Sequence, residues 1–168
     1  MWQNIRNGLA KIYEKCLEPK ETNRQIDPLF KRWKYNGGLG IEPVGKNDFE
    51  KSNNNAILNA SDIEMKKWCK ENLSYDFNKG LDFVGRFNNK YVIGEAKFLT
   101  DFGGHQNTQF ADAINLLKNT SVKAIKIAVL DGVLYIRSNN KMYKDITTTY
   151  SKYNTMSALL LREFLYSL

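Results

Sequence analysis

Apolar positions recur at helical spacing near both ends of this chain and run in strand-like stretches through its middle. Trp2, Ile5, Leu9, Ile12 and Cys16 fall on one face of a helix over residues 2–17, with Arg6, Lys11 and Lys15 on other faces. Pro19 ends that helix. PLFKRWKY, residues 28–35, is a short basic and aromatic segment with Pro28 suited to a helix start. The following NGGLGIEPVGKNDFEKSNNNA keeps no period and reads as a long loop, a kind of segment that often carries function. Ser61 or Asp62 can cap a helix running to about Asn72, with Met65, Trp68 and Cys69 inward.

The middle reads as sheet. Residues 81–98 form a β-hairpin, FLTDFGGHQN a loop, and 107–118 a helix with Phe110, Ala113, Ile114 and Leu117 on one face. VKAIKIAVLDGVLYIRS predicts two strands joined at Asp131-Gly132, a hairpin signal. KDITTTYSKYNT fits neither period. Residues 155–167, TMSALLLREFLYS, predict a closing helix whose apolar face is broader than a surface helix requires. Helix, hairpin, helix, strands, helix is the order of an α/β or α+β sheet domain. No repeat or low-complexity linker interrupts it.

The hairpin carries the first chemistry. A two-residue turn at Asn88-Asn89 suits the positive φ of a type I′ turn. The pairing then follows: Phe87 faces Lys90, Arg86 faces Tyr91, Val84 faces Ile93, and Asp82 faces Glu95. Opposed residues share one side of the sheet, and Lys97 joins them two residues beyond Glu95. Leu81, Phe83, Phe87, Val92, Ala96 and Phe98 take the other side, which reads as a core face. Two opposed carboxylates repel, so the arrangement makes sense with a divalent cation between them; Mg²⁺ is a hard ion held by one or two carboxylates plus waters and phosphate oxygens. A lysine beside it can stabilise negative charge on an attacked phosphate. The alternative is a salt-bridge cluster in which Lys97 simply neutralises the acids.

Composition narrows the partners. The formal charge is +7, from 25 Lys and Arg against 18 Asp and Glu, which favours a polyanion. Hydrophobic residues at 42% argue for a folded globule, and the length suits one domain. No apolar run approaches the ~20 residues of a membrane span. The charged N-terminus does not read as a signal peptide, and Cys16 and Cys69 lack metal or redox spacing, so both read as reduced thiols in a cytoplasmic protein.

GLDF followed by GEAKF resembles the PD-(D/E)xK nuclease signature, here Asp82, Glu95 and Lys97, and GEAKFLTDFGGHQNTQF resembles a group of type II restriction endonucleases. Leu81 stands where the signature has proline, at a position that touches no chemistry. The similarity is concentrated in residues 60–135. It implies a restriction-endonuclease-like core with a central mixed β-sheet flanked by helices, one nuclease domain over 1–168, and residues 1–60 as an N-terminal helical and loop elaboration. It further implies that Asp82, Glu95 and the Ala96 carbonyl hold Mg²⁺, and that Lys97 orients or activates the water. Many such enzymes add an acid from the preceding helix; Glu64 and Glu71 are the candidates, with Glu64 preferred.

His105 is the only histidine, which disfavours histidine-based nuclease mechanisms and leaves no zinc cluster. Gly103 and Gly104 allow close backbone approach, and His105, Gln106, Asn107 and Gln109 gather near a helix start, where Asn and Gln can pair with adenine and the helix end attracts phosphate. Lys46 and Lys51 in the long Asn/Gly loop are candidate phosphate contacts. The resulting expectation is a Mg²⁺-dependent endonuclease of restriction type acting on duplex DNA. Cutting both strands of a symmetric site calls for a homodimer, with Trp2, Leu159, Leu160 and Phe164 as candidate dimer surfaces. The alternatives are a junction resolvase or repair nuclease of the same fold, a non-catalytic DNA-binding module, and a fragment or small subunit that needs a second chain.

Overall fold

The computed structural model describes residues 26–168, so the helix expected over 2–17, with Trp2 and Cys16, lies outside the described residues. Six strands form one mixed sheet whose spatial order follows the chain: β1 (Pro43–Val44), β2 (Ala56–Leu58), β3 (Phe83–Phe87), β4 (Lys90–Leu99), β5 (Ile125–Gly132) and β6 (Thr155–Met156). β2 with β3 and β3 with β4 are antiparallel, while β1 with β2, β4 with β5 and β5 with β6 are parallel. The helices are α1 (Ile26–Trp33), α2 (Lys46–Lys51), α3 (Asp62–Leu73), α4 (Gly104–Lys118), α5 (Lys141–Thr147) and α6 (Ala158–Tyr166). This is the α/β arrangement that the order of patterns predicts.

Helices cover both faces of the sheet. Met65, Trp68, Cys69 and Leu73 of α3 pack on Val84 and Ile93, and Phe110, Ala113, Ile114 and Leu117 of α4 pack on Leu99, Ala128 and Leu130. Leu161 and Leu165 of α6 pack on Phe83, Phe87, Val92, Ala96 and Val129, with Phe30 and Trp33 of α1 at the margin. A strand buried on both faces needs apolar residues on both, which is why β3 and β4 lack simple alternation. The hairpin forms in the expected register, Phe87↔Lys90 through Val84↔Ile93, across a turn in which Asn88 and Asn89 take φ of 48° and 62°.

Five expectations need correction. The ladder ends at Phe83↔Gly94, so Asp82 sits in a bend one residue outside it and donates its N–H to the Gly94 carbonyl. The bend reverses the alternation and sends Leu81 into the α3 core, while Phe98 stays partly exposed. The long loop contains β1 and α2, both too short to show a period. The loop before α4 is also shorter than expected, because that helix begins at Gly104. Finally, Asp131-Gly132 is not a hairpin turn, and no strand forms over the segment directly after it. The chain turns through Val133–Tyr135, Gly132 takes φ 99° against the Leu99 main chain, and the Asp131 carboxylate accepts from Ala158 N (2.9 Å) at the start of α6.

Candidate active site

Three elements bring the charges of the hairpin together. β4 carries Glu95 and Lys97 on the face covered by α3 and α4, and the bend before β3 presents Asp82 to them. Lys97 Nζ lies 3.1 Å from Asp82 Oδ2 and 3.0 Å from Glu95 Oε2, so the ammonium sits between the two carboxylates. Asp82 Oδ2 also accepts from the Ala96 N–H (2.9 Å), and Lys97 Nζ donates to the Ala96 carbonyl (3.0 Å). Lys79 approaches Glu95 Oε2 from the other direction at 3.5 Å and pairs with Asp112 of α4 at 2.9 Å.

These contacts are one-sided. The hydrogen bonds and nearest ion-pair contact of Asp82 run through Oδ2, and the nearest ion-pair contacts of Glu95 run through Oε2. Glu95 is only 3% exposed. Burial pushes its carboxyl above the ordinary value, Lys97 and Lys79 pull it back, and Asp82 adds to the rise. Burial works against the Lys97 ammonium, but Asp82 and Glu95 outweigh it and hold that group above its usual range. Two carboxylates, each held mainly through one oxygen, beside a main-chain carbonyl form a donor set that suits a hard oxygen-seeking cation completed by water and phosphate. Among the described residues, no group of three or more His, Cys, Asp or Glu side chains is gathered for a metal. Mg²⁺ does not require one.

The α3 acids sit elsewhere. Glu64 Oε2 accepts from the Ser61 N–H (2.8 Å) and Ser61 Oγ (2.7 Å) in a capping box, and Glu71 is half-exposed with Lys46 Nζ at 3.9 Å. Neither touches Asp82, Glu95 or Lys97. The α3 acid on the site side is Asp62, which packs so closely on Gly80 that an added Cβ there would lie 2.8 Å from its own. Asp62 is paired with Lys31 at 2.7 Å, and Asp62 and Asp82 both act on Lys31 and Lys34.

The 103–109 cluster divides in two. Exposed His105 and partly buried Gln109, one helical turn apart on α4, are hydrogen-bonded to each other at 3.0 Å. Asn107 is exposed and donates back to the Phe102 and Gly103 carbonyls. Gln106 turns inward, 5% exposed, donating to Thr100 Oγ1 (3.2 Å) while its carbonyl oxygen stays buried without a hydrogen-bond partner among the described residues. Lys46 also lies 3.8 Å from Glu50, and Lys51 is exposed. On α6, Leu159 and Leu160 are exposed, whereas Phe164 packs against the core.

Lys34, Lys79 and Asp112 escaped the sequence reading. Lys79 and Asp112 belong to no motif and meet only when α4 folds over the sheet. Lys34 sits in an irregular turn over Lys34–Gly38 that interrupts the helical pattern after Trp33, so its burial had no periodic signal. Burial pulls its ammonium down to about 8, against the attraction of Asp82.

Among the described residues no helix is long and apolar enough to cross a membrane. Neither curated proteins nor solved structures give a match. The family model described as the Tsp45I type II restriction enzyme matches residues 3–168, nearly the whole chain. The match reaches well beyond the hairpin motif that first suggested this class, and the chain belongs to the Tsp45I type II restriction enzyme family, as a site-specific deoxyribonuclease.

Proposed function

We propose that the chain is a Mg²⁺-dependent endonuclease that hydrolyses phosphodiester bonds at a specific sequence in duplex DNA, with Asp82, Glu95 and Lys97 at its centre. The observation that carries this reading is the one-sided anchoring of the two carboxylates by Lys97 and the Ala96 N–H. Their remaining oxygens and the Ala96 carbonyl would hold the ion, which supplies Lewis-acid charge at the phosphate. Lys97, kept protonated between two carboxylates, orients the attacking water and meets negative charge on the phosphate oxygens. Asp82 and Glu95 fix where that charge is met, and Lys79 with Asp112 braces Glu95 from behind.

The exposed His105 and Asn107 and the partly exposed Gln109 at the start of α4 are suited to base or phosphate contact, with Gly103 and Gly104 permitting close approach. Lys46 and Lys51 are suited to phosphates. Two-strand cleavage would use a two-fold dimer, for which exposed Leu159 and Leu160 offer an apolar surface.

Plasmid digestion tests the reading. Discrete fragments in Mg²⁺ are expected. Cutting confined to branched DNA would move the protein to the resolvase class, and intact DNA binding without cutting under any divalent ion would make it a binding module.

A further inference from the structure

Lys34 is 0% exposed, the only fully buried charged side chain among the described residues. Burying an ammonium costs several kcal/mol unless something compensates. Here the compensation is specific: Nζ donates to the main-chain oxygen of Asp82 at 2.6 Å and sits 4.4 Å from the Tyr35 ring centre. A methionine would fill similar space without the penalty.

The position explains what the lysine can do. Asp82 lies outside the ladder that begins at Phe83↔Gly94, and β2 pairs with β3 only at Arg86 and Gly85. The Asp82 carbonyl therefore has no strand partner on either side. Its N–H is held by Gly94 O (3.1 Å), its carboxylate by the Ala96 N–H and Lys97, and its carbonyl by Lys34. Without Lys34, the peptide on the carboxyl side of Asp82 loses the hold on its carbonyl, and the orientation of the residue rests on the N–H and the carboxylate alone.

We propose that Lys34 is a positioning residue: it fixes the Asp82 peptide outside the ladder, and so sets where the Asp82 carboxylate stands relative to Glu95 and Lys97. This role rests on the cluster being the ion site proposed above, where outer contacts of this kind orient the ligands.

The test compares the wild type with Lys34→Met, using calorimetric titration of Ca²⁺ without DNA and single-turnover plasmid cleavage across Mg²⁺ concentrations. Loss of ion affinity of about tenfold or more is expected, with cleavage recovering at high Mg²⁺ and metal-free DNA affinity unchanged. A purely structural lysine would shift the melting temperature without separating ion affinity from DNA affinity. Ion affinity and cleavage within about twofold of a cutting wild type would overturn the proposal while leaving the nuclease reading intact. A wild type that neither binds Ca²⁺ nor cuts would remove both. If Lys34→Met does not fold, a crystal structure of the wild type with Ca²⁺ decides: Lys34 Nζ still bonded to the Asp82 carbonyl supports the role, and a broken contact ends it.

Discussion

Replacing Lys97 with methionine removes one charge from between two acids, and the consequence can be worked out from the contacts. Both ion pairs, at 3.1 and 3.0 Å, are lost. Lys97 and Asp82 have side-chain exposures of 14% and 17%, and that of Glu95 is 3%, so water replaces little of the lost attraction. Breaking a buried pair from one side costs about 3–5 kcal/mol. Lys79 stays 3.5 Å from Glu95 and the cluster is not fully dry, which favours the lower end, about 3 kcal/mol. For a chain of 168 residues that is a fall of about 6–12 °C in melting temperature at neutral pH.

The loss must depend on pH. Burial already raises the Glu95 carboxyl, and the ammonium opposes that rise, so the variant raises it further. An acid whose folded pKa exceeds its unfolded value favours the fold below the unfolded value, about 4.3 for Glu, and loses that contribution as pH rises through the folded value. The deficit should therefore be small near about pH 4 and full near about pH 8. Ca²⁺ should stabilise the variant more than the wild type, because the cation replaces the missing charge. Thermal melts at the two pH values, with and without Ca²⁺, make the comparison. Equal losses at both pH values, with no differential effect of Ca²⁺, would refute the electrostatic account of the cluster.

Two further perturbations separate scaffold from site. Glu64→Gln keeps a side chain that can complete the capping box, so cleavage should be unchanged; loss of cleavage would return Glu64 to the catalytic machinery, and Glu64→Ala should lower stability to chemical denaturation by removing half of the capping box. Asp131 is raised by burial, opposed by its bonds to Ser157 and Ala158, so its ionised form weighs on the fold above its unfolded range. Asp131→Asn, which still accepts from the Ala158 N–H, should match the wild type near about pH 4 and exceed it at neutral pH, and a less stable variant at neutral pH would contradict that sign.

How far the sequence reaches depends on the range of the interaction. The hairpin was readable because Asn88-Asn89 fixes the register and the register then places Lys97 on the side of Glu95; the pairing from Phe87 to Phe83 follows that arithmetic. The arithmetic fails one residue later, at Asp82, because ladder geometry gives way to side-chain bonds with Lys97 and Lys34 that no local pattern announces. The helices α3 and α4 were visible in their apolar faces. The strands β1 and β6 have two residues each, too few for a period, and exist because longer neighbours template them. Asp131-Gly132 looked like a hairpin turn, but the same carboxylate is used to begin α6, a contact between residues distant in the chain. Glu64 looked like a site acid because it lies on the right helix; its partner Ser61 lies three residues away, and the local cap takes it.

The central claim is that Asp82 and Glu95 hold the ion that makes this protein a nuclease. Mg²⁺-dependent plasmid cleavage by the wild type, Asp82→Asn and Glu95→Gln, read alongside DNA binding without metal, addresses it most directly. The account predicts discrete fragments from the wild type and no detectable cleavage from either variant, with DNA binding kept in all three. Either variant cutting at the wild-type rate would contradict it.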